Sequence, residues 1–292
     1  VFDGNPDEGG WDSKLAGIWV MKYEASRNDA DATNGGEGTT PRSVPNVKAW
    51  VSSTVSTMFT YAKSLNATLN SHMMKNSEWG AVAYLTESKY GRNGTRISVN
   101  QCSNYITGTG RGLNSTENSE LTGTSTIYNS SYSYTDIVDK QKYTGTVGQL
   151  SSTTGNIYGI YDMSGGTYEY VMGLLQDADG NIHTGNTTTQ NSGFNGYLND
   201  GSEYKDGIEF PNEKKYYQLY KKTATDGKDL GDALFETKGW NSTHVSFVSS
   251  ETPVFGHGGD YAYPSISGTF IFSAFDGRNR GSISFRVCLA VK

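Results

Sequence analysis

Residues able to bind a metal or act as a nucleophile are few and scattered along the chain. No two histidines stand at a metal-ligand spacing; they are His72, His183, His244 and His257. Asp177 and Asp179 have the spacing that opens a calcium loop, but the later glutamate is absent, so we predict an Asp-Gly turn. Nucleophile-elbow and phosphate-loop motifs are also absent. The sequence therefore predicts no metal site, no cofactor and no catalytic residue of these kinds.

The two cysteines, Cys102 and Cys288, leave the thiol chemistry open. Either one disulfide or two buried free thiols fits this count, and neither arrangement fixes the compartment of the protein. Cys288 lies within a C-terminal strand pattern, whereas Cys102 lies far away in a polar stretch.

The C-terminal tract, residues 240–292, alternates apolar anchors with side chains suited to binding. Phe285, Val287 and Leu289 alternate, which predicts a strand with one buried face. The tract is otherwise rich in Tyr, Ser, Gly and Asp. Tyrosine offers a large contact area at low entropy cost, and the small polar residues offer adaptable hydrogen bonds. We interpret the tract as a binding face; the plainer alternative is an ordinary loop in a chain that is Tyr- and Ser-rich throughout.

Composition and charge favour a β- and loop-rich protein that works outside the cell. The 292 residues include 36 glycines and 20 tyrosines, with 35% hydrophobic and 18% charged residues. A net charge of −6 argues against a nucleic-acid-binding protein, and no apolar run approaches the length of a membrane span. The sequence opens at Val1 without a signal-peptide pattern, so we expect the targeting segment to be missing from it.

A few strands and two helices must position this tract. After a flexible lead-in of residues 1–14, a strand is predicted over 15–26 from its β-branched and aromatic residues. Apolar residues at helical spacing predict helices over 53–65 and 77–90. A tight strand–turn–strand unit, rich in glycine, is predicted over 155–173.

The order of residues in this central unit resembles the signature of the formylglycine-generating-enzyme family, through Asn156, Gly159, Ile160, Asp162, Met163, Gly165 and Glu169. Residues 21–24 are similar to the first strand of that family, and residues 72–83 to its second helix. The resemblance implies an α+β, C-type-lectin-like fold with two helices packed on one face of a twisted, mainly antiparallel sheet. It implies a single domain over 15–292, with long loop insertions at about 92–154 and 174–239.

The catalytic chemistry of that family is not expected here. Its enzymes use a pair of cysteines near the C-terminus to bind copper and substrate, and Cys288 has no partner in this part of the chain. Gly166 and Tyr168 also stand where the family usually has Asn and Trp, which argues against a bound cation at that place. The resemblance therefore implies the fold and not the enzyme.

The C-terminal frame is similar to the variable domain of proteins diversified by retroelements. Gly258-Gly259, Ser267-Gly268 and Phe285-Arg286 stand at its constant positions, with His257 replacing an Arg and Ser267 an Ala. The resemblance implies a ligand-binding region over 240–292. Its candidate contact residues are Asn241, Thr243, His244, His257, Asp260, Tyr261, Tyr263, Ser265, Ile266, Thr269, Ser273, Phe275, Arg278 and Arg280.

The sequence thus favours a non-enzymatic receptor-binding protein, an adhesin or a phage receptor-binding type of protein. Its expected partner is a protein or glycan receptor, and its expected location a bacterial surface or a phage virion. The alternatives are a copper oxidase like the formylglycine-generating enzymes and a structural surface or tail decoration protein. Three structural expectations follow: Trp79 and Phe285 are buried, the strand near Ile18 pairs with the strand after Phe285, and the candidate residues share one exposed face.

Overall fold

The structure, a computed structural model, describes residues 16–110, 142–221, 245–263 and 266–291. The described residues form a mixed α/β arrangement with two helices and several antiparallel sheets. The helices are α1 (Val55–Ser64) and α2 (Asn76–Glu87). In chain order the strands are β1 (Gly17–Val20), β2 (Ser26–Arg27), β3 (Pro41–Arg42), β4 (His72–Met73), β5 (Tyr168–Leu175), β6 (Gly185–Thr187), β7 (Gln190–Asn191), β8 (Gly196–Tyr197), β9 (Glu203–Tyr204), β10 (Gln218–Tyr220), β11 (Val254–Gly258), β12 (Gly268–Phe275), β13 (Ile283–Phe285) and β14 (Val287–Val291).

Strand β5 lies in the middle of the larger sheet. It pairs antiparallel with β11 along one edge and parallel with β10 and β13 along the other, and β12 pairs antiparallel with β11. All of its residues except Tyr168 are buried. Its nearly continuous apolar sequence is typical of a strand that is covered on both faces.

Alternate side chains of β5 face two separate hydrophobic clusters. Met172 and Leu174 belong to the cluster that contains the buried side chains of α1. Val171 and Leu175 belong to the cluster that contains those of α2. The prediction that both helices lie on one face of the sheet is therefore wrong, because successive strand residues point to opposite faces and each helix packs against a different set.

Both helices begin with a side chain that accepts a backbone N–H bond. At α1, Thr54 Oγ1 accepts from Thr57 N at 3.4 Å. At α2, Glu78 Oε2 accepts from Lys75 N at 2.8 Å, and its charge favours the positive end of the helix dipole. These bonds satisfy N–H groups that the first helical turn leaves without a partner.

The second sheet closes the molecule by joining the two ends of the described chain. β1 pairs antiparallel with β14, with Gly17 opposite Val291 and Val20 opposite Cys288. β14 pairs in turn with β4. The expected pairing of the N-terminal and C-terminal strands is confirmed.

The two side chains expected at the centre of the core are buried. Trp79 of α2 is 1% exposed, and its indole Nε1 donates to the Thr269 carbonyl at 2.7 Å. Phe285 of β13 is fully buried and meets the Trp50 ring edge-on, with ring centroids 5.6 Å apart. Burial of each such side chain stabilises the fold by about 1.5–3 kcal/mol.

The polar stretch after α2 enters the core more deeply than its composition indicates. Ile97, Val99, Cys102 and Ile106 are all buried, in a segment that we predicted to be a loop insertion. Short hairpins, β6–β7 and β8–β9, fill much of the described chain after β5. Among the described residues, no helix has the length and apolar character required to cross a membrane.

Candidate binding face

The C-terminal tract forms β11, β12 and the turn between them. The turn begins at Gly258 and Gly259, both with a φ of 86°. A side chain added at Gly259 would place its Cβ 2.4 Å from Ser267 Oγ, so this turn requires glycine. Four of the predicted contact residues lie outside the described residues; they are Asn241, Thr243, His244 and Ser265.

His257 is a core residue, and its predicted exposure is wrong. The side chain is 3% exposed and stacks on the Trp79 ring with centroids 4.9 Å apart. Its Nδ1 lies 2.9 Å from the Ile271 carbonyl oxygen, and its Nε2 contacts the Asn76 side chain. Burial lowers the pKa of His257 to about 3, so the ring is neutral and holds β11 against α2.

Thr269 and Asp260 are also more buried than predicted, at 6% and 7% exposure. Thr269 lies at the start of β12, which is covered on both faces there, and its carbonyl accepts the bond from the Trp79 indole. Asp260 folds back into the turn, where its Oδ1 accepts from Ala262 N at 2.9 Å. Neither residue is freely exposed as the sequence indicated.

The other predicted residues are exposed or partly exposed; they are Tyr261, Tyr263, Ile266, Ser273, Phe275, Arg278 and Arg280. Tyr263, at 61% exposure, is the most open large hydrophobic side chain among the described residues of the tract. The contacts described below arrange most of them in two groups.

The first group surrounds Asp276 at the end of β12. Arg280 Nη2 lies 3.0 Å and Arg278 Nε 3.5 Å from Asp276 Oδ2. The Arg280 guanidinium also lies over the Phe275 ring, 5.7 Å from its centroid. We call Phe275, Asp276, Arg278 and Arg280 the basic end of the face.

The fold holds this basic end from beneath. Tyr170 Oη, from β5, donates to the Arg278 carbonyl at 2.9 Å. Ser52 N donates to the Arg280 carbonyl at 2.9 Å, so the turn is tied to the segment that leads into α1. The positions of the arginines are therefore fixed by backbone bonds to two core elements.

The second group surrounds Asp260. Tyr261 meets the ring of Tyr105 edge-on, with centroids 5.0 Å apart, and its backbone N donates to the Gly166 carbonyl at 3.0 Å. Burial and the charge of Asp260 raise the pKa of Tyr105, and burial, Asp260 and Tyr263 raise the pKa of Tyr168 to about 12. We call Asp260, Tyr105, Tyr168, Tyr261 and Tyr263 the acidic end of the face.

Tyr168 connects the two ends. Its ring lies edge-on to Phe275 of the basic end, with centroids 5.1 Å apart, while it interacts electrostatically with Asp260 and Tyr263. These contacts thus link tract residues of both ends through Tyr168. Sequence reasoning missed two members of the face.

Those two residues, Tyr105 and Tyr168, come from outside the C-terminal tract. Tyr168 could have been found, because it departs from the signature that the central unit resembles. Tyr105 gave no sequence signal. Its backbone is unusual, since a bulky residue rarely adopts its φ of 56°, and such positions cluster at functional sites.

A buried ionic cluster lies beneath the acidic end. Arg286 holds Glu169 with two bonds, Nε to Oε2 at 3.0 Å and Nη2 to Oε1 at 2.5 Å. Glu24 is fully buried; its Oε1 accepts from Thr167 N, and its Oε2 has no hydrogen-bond partner. Burial, with the nearby charges of Asp162 and Glu169, raises the pKa of Glu24 well above its usual range. Only one of these carboxyl groups is bonded to the guanidinium.

The cysteines do not form a reactive pair. Cys102 and Cys288 are both buried, neither forms a disulfide, and they pack in different hydrophobic clusters. His72 lies opposite Cys288 in the β4–β14 pair, but its ring nitrogens contact the Asn70 carbonyl at 2.6 Å and Glu78 Oε1 at 2.8 Å. Burial and the charge of Glu78 raise the pKa of the Cys288 thiol well above its usual range, which suppresses its reactivity.

The predicted Asp-Gly turn is confirmed. Asp177 Oδ1 accepts from Asp179 N and Asn181 N at 3.0 and 2.8 Å, and Gly180 takes a positive φ of 91°. The carboxylate is therefore committed to its own turn. In the described part of the chain, no group of three or more His, Cys, Asp or Glu residues is arranged to hold a metal ion.

Comparison with known proteins adds no assignment to this geometry. The chain matches no family model and no curated protein.

Proposed function

We propose that the protein is a non-enzymatic receptor-binding protein, of the adhesin or phage receptor-binding type, with a C-type-lectin-like fold. The binding surface is the face formed by its acidic and basic ends. The ligand is a receptor, protein or glycan, on a bacterial or phage surface.

The pairing of terminal strands supports the fold. Strands β1 and β14 lie side by side, and Arg286, at the Phe-Arg position of the frame, holds Glu169 of the central unit. Arg286 and Glu169 belong to two of the segments that carry the resemblance. The two helices and the antiparallel strand pairs fit an α+β fold in general.

One observation carries the proposed function: aromatic and arginine side chains are gathered on a surface whose backbone is fixed from beneath. Tyr263 is 61% exposed, while its neighbour strand β12 contributes the buried Phe270 and Phe272. Exposed aromatic groups gathered in one patch mark interaction sites, and tyrosine and arginine are the residue types that dominate binding energy.

The copper-oxidase alternative has no support in the structure. It needs a second thiol beside Cys288, and the chain's other cysteine, Cys102, packs in a different cluster. The decoration-protein alternative differs only in that its face binds nothing. A binding assay separates it from the proposal.

The test measures capture of the fluorescently labelled protein by a panel of intact bacteria in flow cytometry. The Tyr261→Ser/Tyr263→Ser variant is expected to lose capture, because it removes both tyrosines of the turn and leaves the buried anchors in place. Tyr158→Ser is the control, since Tyr158 is 85% exposed and lies outside the C-terminal tract in sequence.

Equal capture by both variants, or none by the wild type on any cell, would contradict the proposal.

Diversification has its own test in the flanking DNA. A reverse transcriptase gene and a near-copy of the 3′ coding end, differing at adenines, are expected there.

A further inference from the structure

Asp260 is held in a fixed position at the acidic end. Its Oδ1 accepts from Ala262 N at 2.9 Å, and its carbonyl oxygen accepts from Tyr263 N and Ser267 Oγ, both at 3.0 Å. The residue is 7% exposed. The turn thus presents one carboxylate in a set orientation, and none of the described residues bonds to its Oδ2.

Aromatic rings surround this carboxylate. Tyr105 and Tyr261 pack edge-on with centroids 5.0 Å apart, and the charge of Asp260 acts on both Tyr105 and Tyr168. Tyr263 lies on the exposed side of the turn. Tyrosine rings around a carboxylate form the kind of site that attracts a cation, because the ring faces are negative.

No positive side chain of the described residues neutralises Asp260. The ion pairs of the face involve Asp276, which is bonded to Arg278 and Arg280. Burial raises the pKa of Asp260, and no nearby cation lowers it.

The conformation of Tyr105 provides an independent observation. A φ of 56° is unfavourable for a bulky side chain, yet the backbone is held there by the bonds Tyr105 N to the Cys102 carbonyl and Ala49 N to the Tyr105 carbonyl. This conformation places the ring against Tyr261. Strained residues cluster at functional sites, so the strain at Tyr105 indicates that the position of its ring serves binding.

We propose that the acidic end receives a cationic side chain, of lysine or arginine, from a protein receptor. The ammonium or guanidinium group lies against the rings of Tyr105, Tyr168 and Tyr261 and pairs with the free oxygen of Asp260. This inference rests on the proposed receptor-binding function and specifies its partner: a protein that presents an exposed positive residue, and not a neutral glycan.

The probes are Nα-acetyl-lysine methylamide and Nα-acetyl-arginine methylamide, with the norleucine derivative as a neutral control of similar shape. Binding is followed by NMR of the full chain with ¹³C-labelled tyrosine rings, and the Tyr105 and Tyr261 signals are assigned from Phe variants. Both cationic probes are expected to shift these signals with about millimolar affinity, and norleucine is expected to leave them unchanged.

Two variants and one control locate the site. Asp260→Asn keeps the acceptor for Ala262 N and is expected to weaken lysine binding roughly tenfold, since it removes a charge-assisted bond. Tyr105→Leu keeps bulk but removes the aromatic face, so a several-fold loss is expected. Asp179→Asn makes the same change of net charge at an exposed turn residue and is expected to have no effect.

Several results would overturn the inference. These are equal shifts with norleucine, no shift with either cation, or unchanged binding in Asp260→Asn. Cell capture separates this inference from the proposed function: capture that is lost in Tyr261→Ser/Tyr263→Ser but unchanged in Asp260→Asn keeps the function and rejects the cation. If surfaces that carry only glycans capture the protein, and Asp260→Asn does not change this capture, the function is likewise kept and the cation rejected.

Discussion

Asp260 and Asp276 lie on the same face and are almost equally buried, yet their surroundings are opposite. Asp276 is bonded to Arg278 and Arg280, both from the following turn. Asp260 has tyrosine neighbours from the turn itself and from two distant parts of the chain. The ion pairs of Asp276 hold the turn that follows β12, whereas we propose that a partner neutralises Asp260.

The same contrast is repeated in the core. Glu169 and Glu78 are paired, with Arg286 and His72 respectively, while Glu24 has one unsatisfied oxygen and no cation bonded to it. Removal of a paired acidic group is therefore expected to change the stability of the protein differently from removal of an unpaired one. The predictions below use that difference, beginning with the largest effect.

The Arg286→Met variant is expected to show the largest loss of stability. Removal of the fully buried guanidinium leaves Glu169 without its cation, and it also breaks bonds to the Met21 and Tyr161 carbonyls. The free energy of unfolding is expected to fall by about 3–5 kcal/mol. Urea denaturation followed by circular dichroism measures it.

Arg280→Met provides the matched comparison, since this arginine side chain is 32% exposed and its loss is expected to cost about 1 kcal/mol or less. Adding Glu169→Gln to Arg286→Met is expected to restore part of the lost stability. Equal losses for the two arginine variants would contradict the contrast between a buried and a screened pair.

Glu78 and Glu24 are expected to give pH dependences of opposite sign. Burial opposes the charge of Glu78, but His72 and Lys75 lower its pKa to about 2, below its usual 4.5. Its contribution is therefore present above pH 4.5 and is lost as the pH falls towards 2. The deficit of Glu78→Gln, about 1–3 kcal/mol at pH 6, is expected to shrink as the solution is acidified.

Glu24 behaves in the other direction, because burial and the charges of Asp162 and Glu169 raise its pKa above 4.5. Its favourable contribution is complete below pH 4.5 and is lost as the pH rises through the folded-state value. Glu24→Gln is expected to gain stability relative to the wild type as the pH rises. Urea midpoints measured between about pH 2 and 8 test both signs, and parallel curves would refute the distinction.

Asp276→Asn is expected to destabilise the protein by about 1–2 kcal/mol, since it removes the shared acceptor of Arg278 and Arg280. Asp260→Asn is expected to stay within about 0.5 kcal/mol of the wild type, because asparagine still accepts from Ala262 N. Thermal unfolding of the two variants side by side checks the order. If Asp260→Asn were the more damaging, Asp260 would be a structural residue.

Tyr263→Ser is expected to have the smallest effect on stability, within about 0.5 kcal/mol, because the ring is largely exposed. Receptor capture is nevertheless expected to fall. A variant that unfolds at a lower denaturant concentration and keeps full capture would place Tyr263 in the fold and not in the site.

Local patterns in the sequence were sufficient to predict part of this arrangement. Periodicity predicted both helices and the burial of Trp79 and Phe285, and the resemblance predicted the pairing of β1 with β14. The Asp276–Arg280 pair also lies within four residues of sequence, so its contact is a local matter. Short-range spacing in the sequence, or the resemblance to a known family, is sufficient to predict these features.

The errors arise where distant segments meet. His257 is buried because α2 supplies Trp79 and Asn76 as its neighbours. Alternation along β12 predicted an exposed Thr269, but the first half of that strand is covered on both faces. Tyr105 joins the face from a polar stretch whose packing no local pattern predicts.

The order in which β5 acquires its partners has a consequence for synthesis on the ribosome. Its partners β10, β11 and β13 all follow it in the chain, so a nascent polypeptide cannot complete this ladder until Phe285 has left the exit tunnel. Contacts so distant in sequence slow folding and prolong exposure of an apolar strand. A substitution between β11 and β13 must therefore first allow the chain to fold, and only then can it affect binding. Exposed positions such as Tyr263 are the ones where substitutions leave folding intact.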